Sequence, residues 1–210
     1  MIKGIIFDMD GVLIDSEFFY FNRRMAFLKE KRITPFTDNF HDYVGQTNQE
    51  IWNQMVKGDT ALKVQLKEEY NRYSQVNPLS YREVLNEGVI ETIGELKERG
   101  CKVSIASSSA KEMIENMIDE CGLTSYIDYY ISGEECQRSK PEPDIYNKAV
   151  KELNLKRKEC LAVEDSPLGI QSATSSGLFT LAIKQKEIHL DQSKADAIIT
   201  NIRQVLNYIN

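Results

Sequence analysis

The sequence predicts an α/β protein: a parallel sheet clothed by helices, interrupted after its first strand by an inserted helical bundle. Three observations lead there. Residues 3–7 form a short apolar run that stops at Asp8 and Asp10, two aspartates one residue apart. Residues 16–79 show almost no strand character and repeat apolar side chains at spacings of three and four, as one face of a helix does. From about residue 80 strand-like and helix-like segments alternate to the end, the pattern of a parallel sheet covered on both faces.

The elements follow in order. Gly4-Ile5-Ile6-Phe7 reads as a buried strand. Phe18, Phe21, Met25 and Leu28 predict one helix, with Phe18 inside the bundle; Ile51, Met55 and Val56 predict a second, and Leu62, Leu66 and Tyr70 a third. Pro35 and Gly45 punctuate the linkers. Val89, Ile93 and Leu96 form a helix face stopped by Gly100, and Cys101–Ala106 reads as a strand. Met113, Ile114, Met117 and Ile118 mark the next helix, with Gly122 just past its end. Further strands are expected at 127–131, 160–164, 179–183 and 197–199, and helices near 144–154, 167–176 and 201–209. The first strand could bury nothing alone, so it belongs with the later ones. The expected domains are therefore 1–15 with 80–210, and an inserted 16–79.

Bulk properties narrow the class. Hydrophobic content of 41% and charged content of 28% are ordinary for a globular chain of 210 residues. A net charge of −6 argues against nucleic acid or an anionic membrane as partner. The apolar runs are far shorter than the roughly 20 residues of a membrane span. The first strand starts within two residues, leaving no room for a cleaved leader. Cys101, Cys121, Cys136 and Cys160 show neither C-x-x-C nor zinc spacing, so four reduced thiols and a cytoplasmic location are expected. Nothing marks an interface, and a monomer is compatible with the sequence.

Four stations fall at predicted strand ends. Asp8 and Asp10 come first; alternate strand residues point the same way, so both can face one volume. Two such carboxylates repel unless a cation or a shared proton intervenes. Ser107-Ser108-Ser109 follows the strand ending at Ala106. Lys140-Pro141-Glu142-Pro143 enters a helix, and Glu164-Asp165-Ser166-Pro167 follows Leu161-Ala162-Val163. Each has a bland reading: serines cap helices, and Ser-Pro opens them whether or not anything binds. Four in order on one carboxyl edge, where open α/β sheets bind ligands, point to an active site.

The stretch Asp8-Met9-Asp10-Gly11-Val12-Leu13-Ile14-Asp15-Ser16, with Lys140-Pro141-Glu142-Pro143-Asp144 and Val163-Glu164-Asp165-Ser166-Pro167-Leu168-Gly169-Ile170, resembles the haloacid dehalogenase superfamily in its β-phosphoglucomutase-like branch. Gly45-Gln46-Thr47-Asn48-Gln49-Glu50 is similar to an element of that branch's helical cap. The resemblance implies a Rossmann-like core with an inserted α-helical cap, and Mg²⁺ as cofactor. It implies Asp8 as nucleophile and Asp10 as acid and base. Asp8, the Asp10 carbonyl and Asp165 would be metal ligands, with Glu164 at or near the metal. Ser107, Ser108 and Lys140 would hold the phosphoryl group.

The aspartate two residues beyond Asp8 disfavours a dehalogenase. The mutases of this branch use a cap histidine, a cap arginine and a lysine after the serine turn. Here Tyr20, Asn48 and Ala110 occupy those places. All three departures remove groups suited to a second phosphate, so the expected activity is phosphomonoester hydrolysis of a small metabolite, a sugar or polyol phosphate. A sugar phosphomutase is the alternative. A non-catalytic phosphate-metabolite binder is a remote third, since Asp8, Asp10, Lys140 and Asp165 are all present. Tyr20, Gly45, Thr47, Asn48 and Trp52 are the candidate cap residues for substrate choice. His41 and His189 are read as surface or loop residues.

Overall fold

The computed structural model describes residues 1–43, 48–58, 60–185 and 190–209. The chain divides into two compact units, Met1–Asp15 with Tyr81–Asn210, and Ser16–Ser80.

The larger unit is built on six strands: β1 (Gly4–Phe7), β2 (Lys102–Ser107), β3 (Tyr129–Ser132), β4 (Cys160–Glu164), β5 (Phe179–Ile183) and β6 (Ala197–Ile199). All pairings are parallel, in the order β3-β2-β1-β4-β5-β6. This is a Rossmann-like doubly wound sheet, and its order reverses on either side of β1. β1 lies at the centre with all four residues buried, which explains its unbroken apolar character. On one face Ile6, Ala106 and Ala162 pack with Tyr146, Ala149 and Ala173 of the covering helices; Ile5 and Phe7 point the other way by the two-residue pleat.

Among the described residues the smaller unit holds three α-helices, α1 (Glu17–Glu30), α2 (Asn48–Met55) and α3 (Thr60–Val76). Its interior is aromatic: Trp52 lies edge-on to Phe27 and Tyr70, with centroids 6.2 and 5.3 Å away. The larger unit continues with α4 (Tyr81–Val84), α5 (Val89–Glu98), α6 (Lys111–Glu120), α7 (Asp144–Glu152) and α8 (Pro167–Ser175). Among the described residues no helix is long and apolar enough to cross a membrane. All four cysteines are free thiols.

Several details differ from the sequence expectations. Phe18 is 53% exposed, whereas Phe21, Phe27 and Leu28 are buried. At about 100° per residue the buried arc of α1, from Phe21 to Phe27, centres on Arg24, and Phe18 falls about 60° outside it. The third strand begins at Tyr129, because the Ile127 N–H is bonded to the Leu123 carbonyl and Asp128 ties itself to Val103 through both its N–H and its carboxylate. The last segment, Ile202–Tyr208, is a 3-10 helix. Its buried Ile202 and Val205 stand three apart, the spacing that aligns side chains in 3-10 geometry.

Candidate active site

Register places the first acid. Phe7 is level with Val163 across β1 and β4, and the Asp8 N–H donates to the Val163 carbonyl at 2.9 Å. Asp8 therefore leaves the sheet beside Glu164, the last residue of β4, with Asp165 next in line. This is the carboxyl end of the sheet at its switch point. Gly11 permits the close approach. It has φ +82°, and a Cβ there would lie 2.1 Å from Asp165 Oδ2.

Lys140 reaches into the same place from the loop before α7. Its Nζ lies 2.7 Å from Asp8 Oδ1, 2.6 Å from Glu164 Oε1 and 3.0 Å from the Ala106 carbonyl. Lys140 and Asp8 are nearly buried and Glu164 is fully so. Burial alone would lower the lysine, but Asp8 and Glu164 outweigh it and hold Lys140 above its ordinary value. Burial pushes Asp8 up to about 7, against the pull of Lys140 and with help from Glu164 and Asp10. One lysine does not compensate this cluster.

Glu164 is held at both of its carboxylate oxygens. Oε1 accepts from Lys140 and from Tyr146 Oη at 2.6 Å; Oε2 accepts from the Asp165 N–H and Ser166 Oγ. Gly169 closes over it, since a Cβ there would lie 2.0 Å from Oε1. With both oxygens engaged, Glu164 anchors Lys140. Burial, then Glu164 and Asp8, hold the Tyr146 hydroxyl far above its usual value, so it stays a donor.

Carboxylate oxygens of Asp8, Glu164 and Asp165 lie within 4.8 Å of one another. An all-oxygen, net-negative cluster on rigid strand ends suits a hard divalent cation. Asp165 is itself held: Gln192 Nε2 donates to its carbonyl at 2.7 Å and to the Ile183 carbonyl at 2.8 Å, while Gln185 Nε2 reaches the Gly11 carbonyl and, at 3.3 Å, Asp165 Oδ2.

The serine run forms a turn above β2. The buried Ser107 hydroxyl accepts from the Ser109 N–H at 3.0 Å, Ser108 is exposed, and Ser109 Oγ donates to Asp10 Oδ2 at 2.7 Å. Ser132 Oγ holds the Ser109 carbonyl in turn. Asp8, Asp10, Ser107, Lys140, Glu164 and Asp165 thus belong to one hydrogen-bonded neighbourhood on the sheet's carboxyl edge. Sequence reasoning missed Ser109 as the partner of Asp10, and it missed Tyr146, Gln185 and Gln192. Only Tyr146 left a signal, as an aromatic on the apolar face of its helix.

The candidate cap residues separate. Trp52 is 1% exposed and belongs to the unit's core, so its side chain packs rather than recognises. Gly45 and Thr47 lie outside the described residues, as does His189. Tyr20 and Asn48 line a pocket with Phe21, Arg24, Tyr43 and Ile51. Arg24 Nη2 donates to Asn48 Oδ1 at 3.0 Å.

A doubly wound sheet whose switch point gathers aspartates and a buried lysine, with no histidine or cysteine among them, is the layout of an α/β enzyme that works through carboxylates. The chain belongs to the haloacid dehalogenase-like hydrolase family, whose model matches residues 5–183. It is 28% identical over 180 residues to the phosphorylated carbohydrates phosphatase of Thermotoga maritima, covering 84% of this chain and 82% of that one. It is 26% identical over 217 residues to pyrophosphatase PpaX of Bacillus thuringiensis, covering 98% and 95%. In fold it is similar to β-phosphoglucomutase from Clostridium difficile, with a TM-score of 0.71 at 23% identity over 100% of this chain and 96% of that one.

Proposed function

We propose that the protein is a Mg²⁺-dependent phosphomonoesterase acting on a small phosphorylated metabolite through an aspartyl-phosphate on Asp8. The observation that carries this is Lys140 bridging Asp8 and Glu164 beside Asp165. An Asp8 oxygen attacks phosphorus and the bond to the leaving alkoxide breaks. Asp10 donates its proton to that alkoxide, then takes one from the water that attacks the phosphorylated Asp8, and the Asp8 carboxylate is regenerated. Ser109 fixes the Asp10 carboxyl for both transfers. Lys140 offsets charge between the nucleophile and the incoming phosphoryl oxygens, and the Ser107–Ser108 turn offers hydroxyl and N–H donors to them. The residues fit Mg²⁺, which would be held by Asp8, Asp165 and the Asp10 carbonyl and would supply neutralising charge at the phosphoryl group.

A sugar or polyol phosphate is the substrate class supported by the name of the Thermotoga maritima relative. Hydrolysis is favoured over phosphate shuffling because Tyr20, Asn48 and Ala110 replace the mutase groups. The test is β-glucose 1-phosphate with catalytic bisphosphate and Mg²⁺. Free phosphate supports the proposal; conversion to the 6-phosphate overturns it in favour of a mutase. Release of phosphate from p-nitrophenyl phosphate that survives thorough chelation contradicts the metal assignment.

A further inference from the structure

One buried hydroxyl at the site has no part in the steps above, that of Tyr146. The residue lies on α7, six positions after Lys140, and is fully buried in the apolar cluster with Ile6, Ile145, Ala149 and Ala162. Its hydroxyl donates to Glu164 Oε1 at 2.6 Å, the same oxygen that accepts from Lys140 Nζ at 2.6 Å. The Lys140 ammonium also lies 5.3 Å from the centroid of the Tyr146 ring. One side chain therefore bounds the ammonium twice, through a shared acceptor and through its π face.

Glu164 does not need this donor. Lys140 already bonds Oε1, and the Asp165 N–H and Ser166 Oγ bond Oε2. The core does not need the hydroxyl either. Phenylalanine would fill the same space with no polar group to desolvate. What the hydroxyl adds is position. The three donors of the ammonium are taken by Asp8 Oδ1, Glu164 Oε1 and the Ala106 carbonyl, at 2.7, 2.6 and 3.0 Å. Asp8 and Glu164 thus compete for one cation. A second donor on Glu164 Oε1 draws on the same lone pairs, so it weakens the pull of Glu164 on Lys140 in favour of Asp8. It also fixes that oxygen in place.

We propose that Tyr146 is a positioning residue: its hydroxyl, acting through Glu164, holds the Lys140 ammonium against the Asp8 carboxylate. The consequence for catalysis rests on the phosphatase reading above, whereas the placement of Lys140 is observable without turnover.

The test is Tyr146→Phe in the full chain, which keeps the ring and removes the hydroxyl. In metal-free protein without substrate, the ammonium resonance of Lys140, assigned as the one lost in Lys140→Arg, should move in Tyr146→Phe. The Leu153 amide, which closes the far end of α7 on the Ala149 carbonyl at 3.0 Å, should not. With p-nitrophenyl phosphate and Mg²⁺, kcat should fall about tenfold with KM unchanged, as when a contact matters in the transition state and not in binding. A stationary Lys140 resonance or an unchanged kcat overturns the proposal. So does a Leu153 amide that moves with Lys140, which would make the hydroxyl a support for the helix alone. If the wild-type protein releases no phosphate, the phosphatase reading fails, and the resonance comparison alone decides whether Tyr146 places Lys140.

Discussion

The interiors of the two units are held by different forces. In the larger one Lys140 sits between Asp8 and Glu164, and Glu164 accepts from four donors on three elements of the fold. In the smaller one the interior is held by rings, with Phe27, Trp52 and Tyr70 mutually edge-on. The first arrangement is a network in which each member fixes the next, which is what a step needing sub-ångström positioning requires. The second is a shape held by apolar contact. A charged network and an aromatic core are thus supported by different physics.

The comparison breaks first at Asp8. Asp8→Asn should reduce phosphate release from p-nitrophenyl phosphate by about 10⁴-fold or more, on the scale of removing a covalent nucleophile, with an unchanged circular dichroism spectrum. Retained activity would remove Asp8 from the nucleophile's role.

Next come two changes of similar size and different origin. Lys140→Met leaves Asp8 and Glu164 buried without their cation, a loss of ~3–5 kcal/mol. Trp52→Ala opens a cavity in the aromatic cluster and costs ~3–5 kcal/mol by lost packing. Denaturant titration separates them. The Lys140→Met deficit should shrink as pH falls and the acids take up protons, whereas the Trp52→Ala deficit should not move with pH. Equal pH responses would dissolve the contrast between the units.

The raised Asp8 carboxyl makes a further prediction for protein stripped of metal. Its folded value is about 7 against 3.8 unfolded, so between those values the folded state binds the extra proton. Stability is greatest below the unfolded value and falls as pH rises through 7. In the presence of chelator, Asp8→Asn should therefore melt ~3 °C or more above wild type at pH 8, with the gap closing toward pH 4. A gap independent of pH would show that Lys140 already compensates the ionised carboxylate.

The units also differ in how far the sequence disclosed them. The strands were legible because each is a bounded apolar run, and Asp8, Lys140 and Asp165 because each sits at the end of such a run or in an adjoining turn. Tyr146 and Glu164 show what such reading misses: their bond joins a helix to a strand end and depends on packing, not on spacing. In the smaller unit the periodicity located α1 but turned its face, because half-buried Arg24 occupies a position between Phe21, Phe27 and Leu28 that a hydrophobic pattern assigns to solvent. The two errors share a cause. Buried polar groups obey partners, and partners are distant in sequence.

Gln192 tests that point at the smallest scale. It is 8% exposed, on the chain just before β6, and nothing around it in sequence resembles a site. Its one amide nitrogen spans the Asp165 and Ile183 carbonyls, pinning the residue after β4 to the end of β5. Gln192→Leu keeps the volume and removes both bonds, so Asp165 loses the restraint on its carbonyl while keeping its N–H bond to Glu164 and its carboxylate. Groups that orient a metal-binding side chain typically contribute about tenfold in affinity. Gln192→Leu should therefore weaken Mg²⁺ binding by about tenfold in a calorimetric titration, with Gln192→Glu, which can still accept but donates poorly, equally impaired. If both variants bind Mg²⁺ like wild type, Gln192 serves only to close the sheet, and the network that positions Asp165 ends at Gln185 and Gly11.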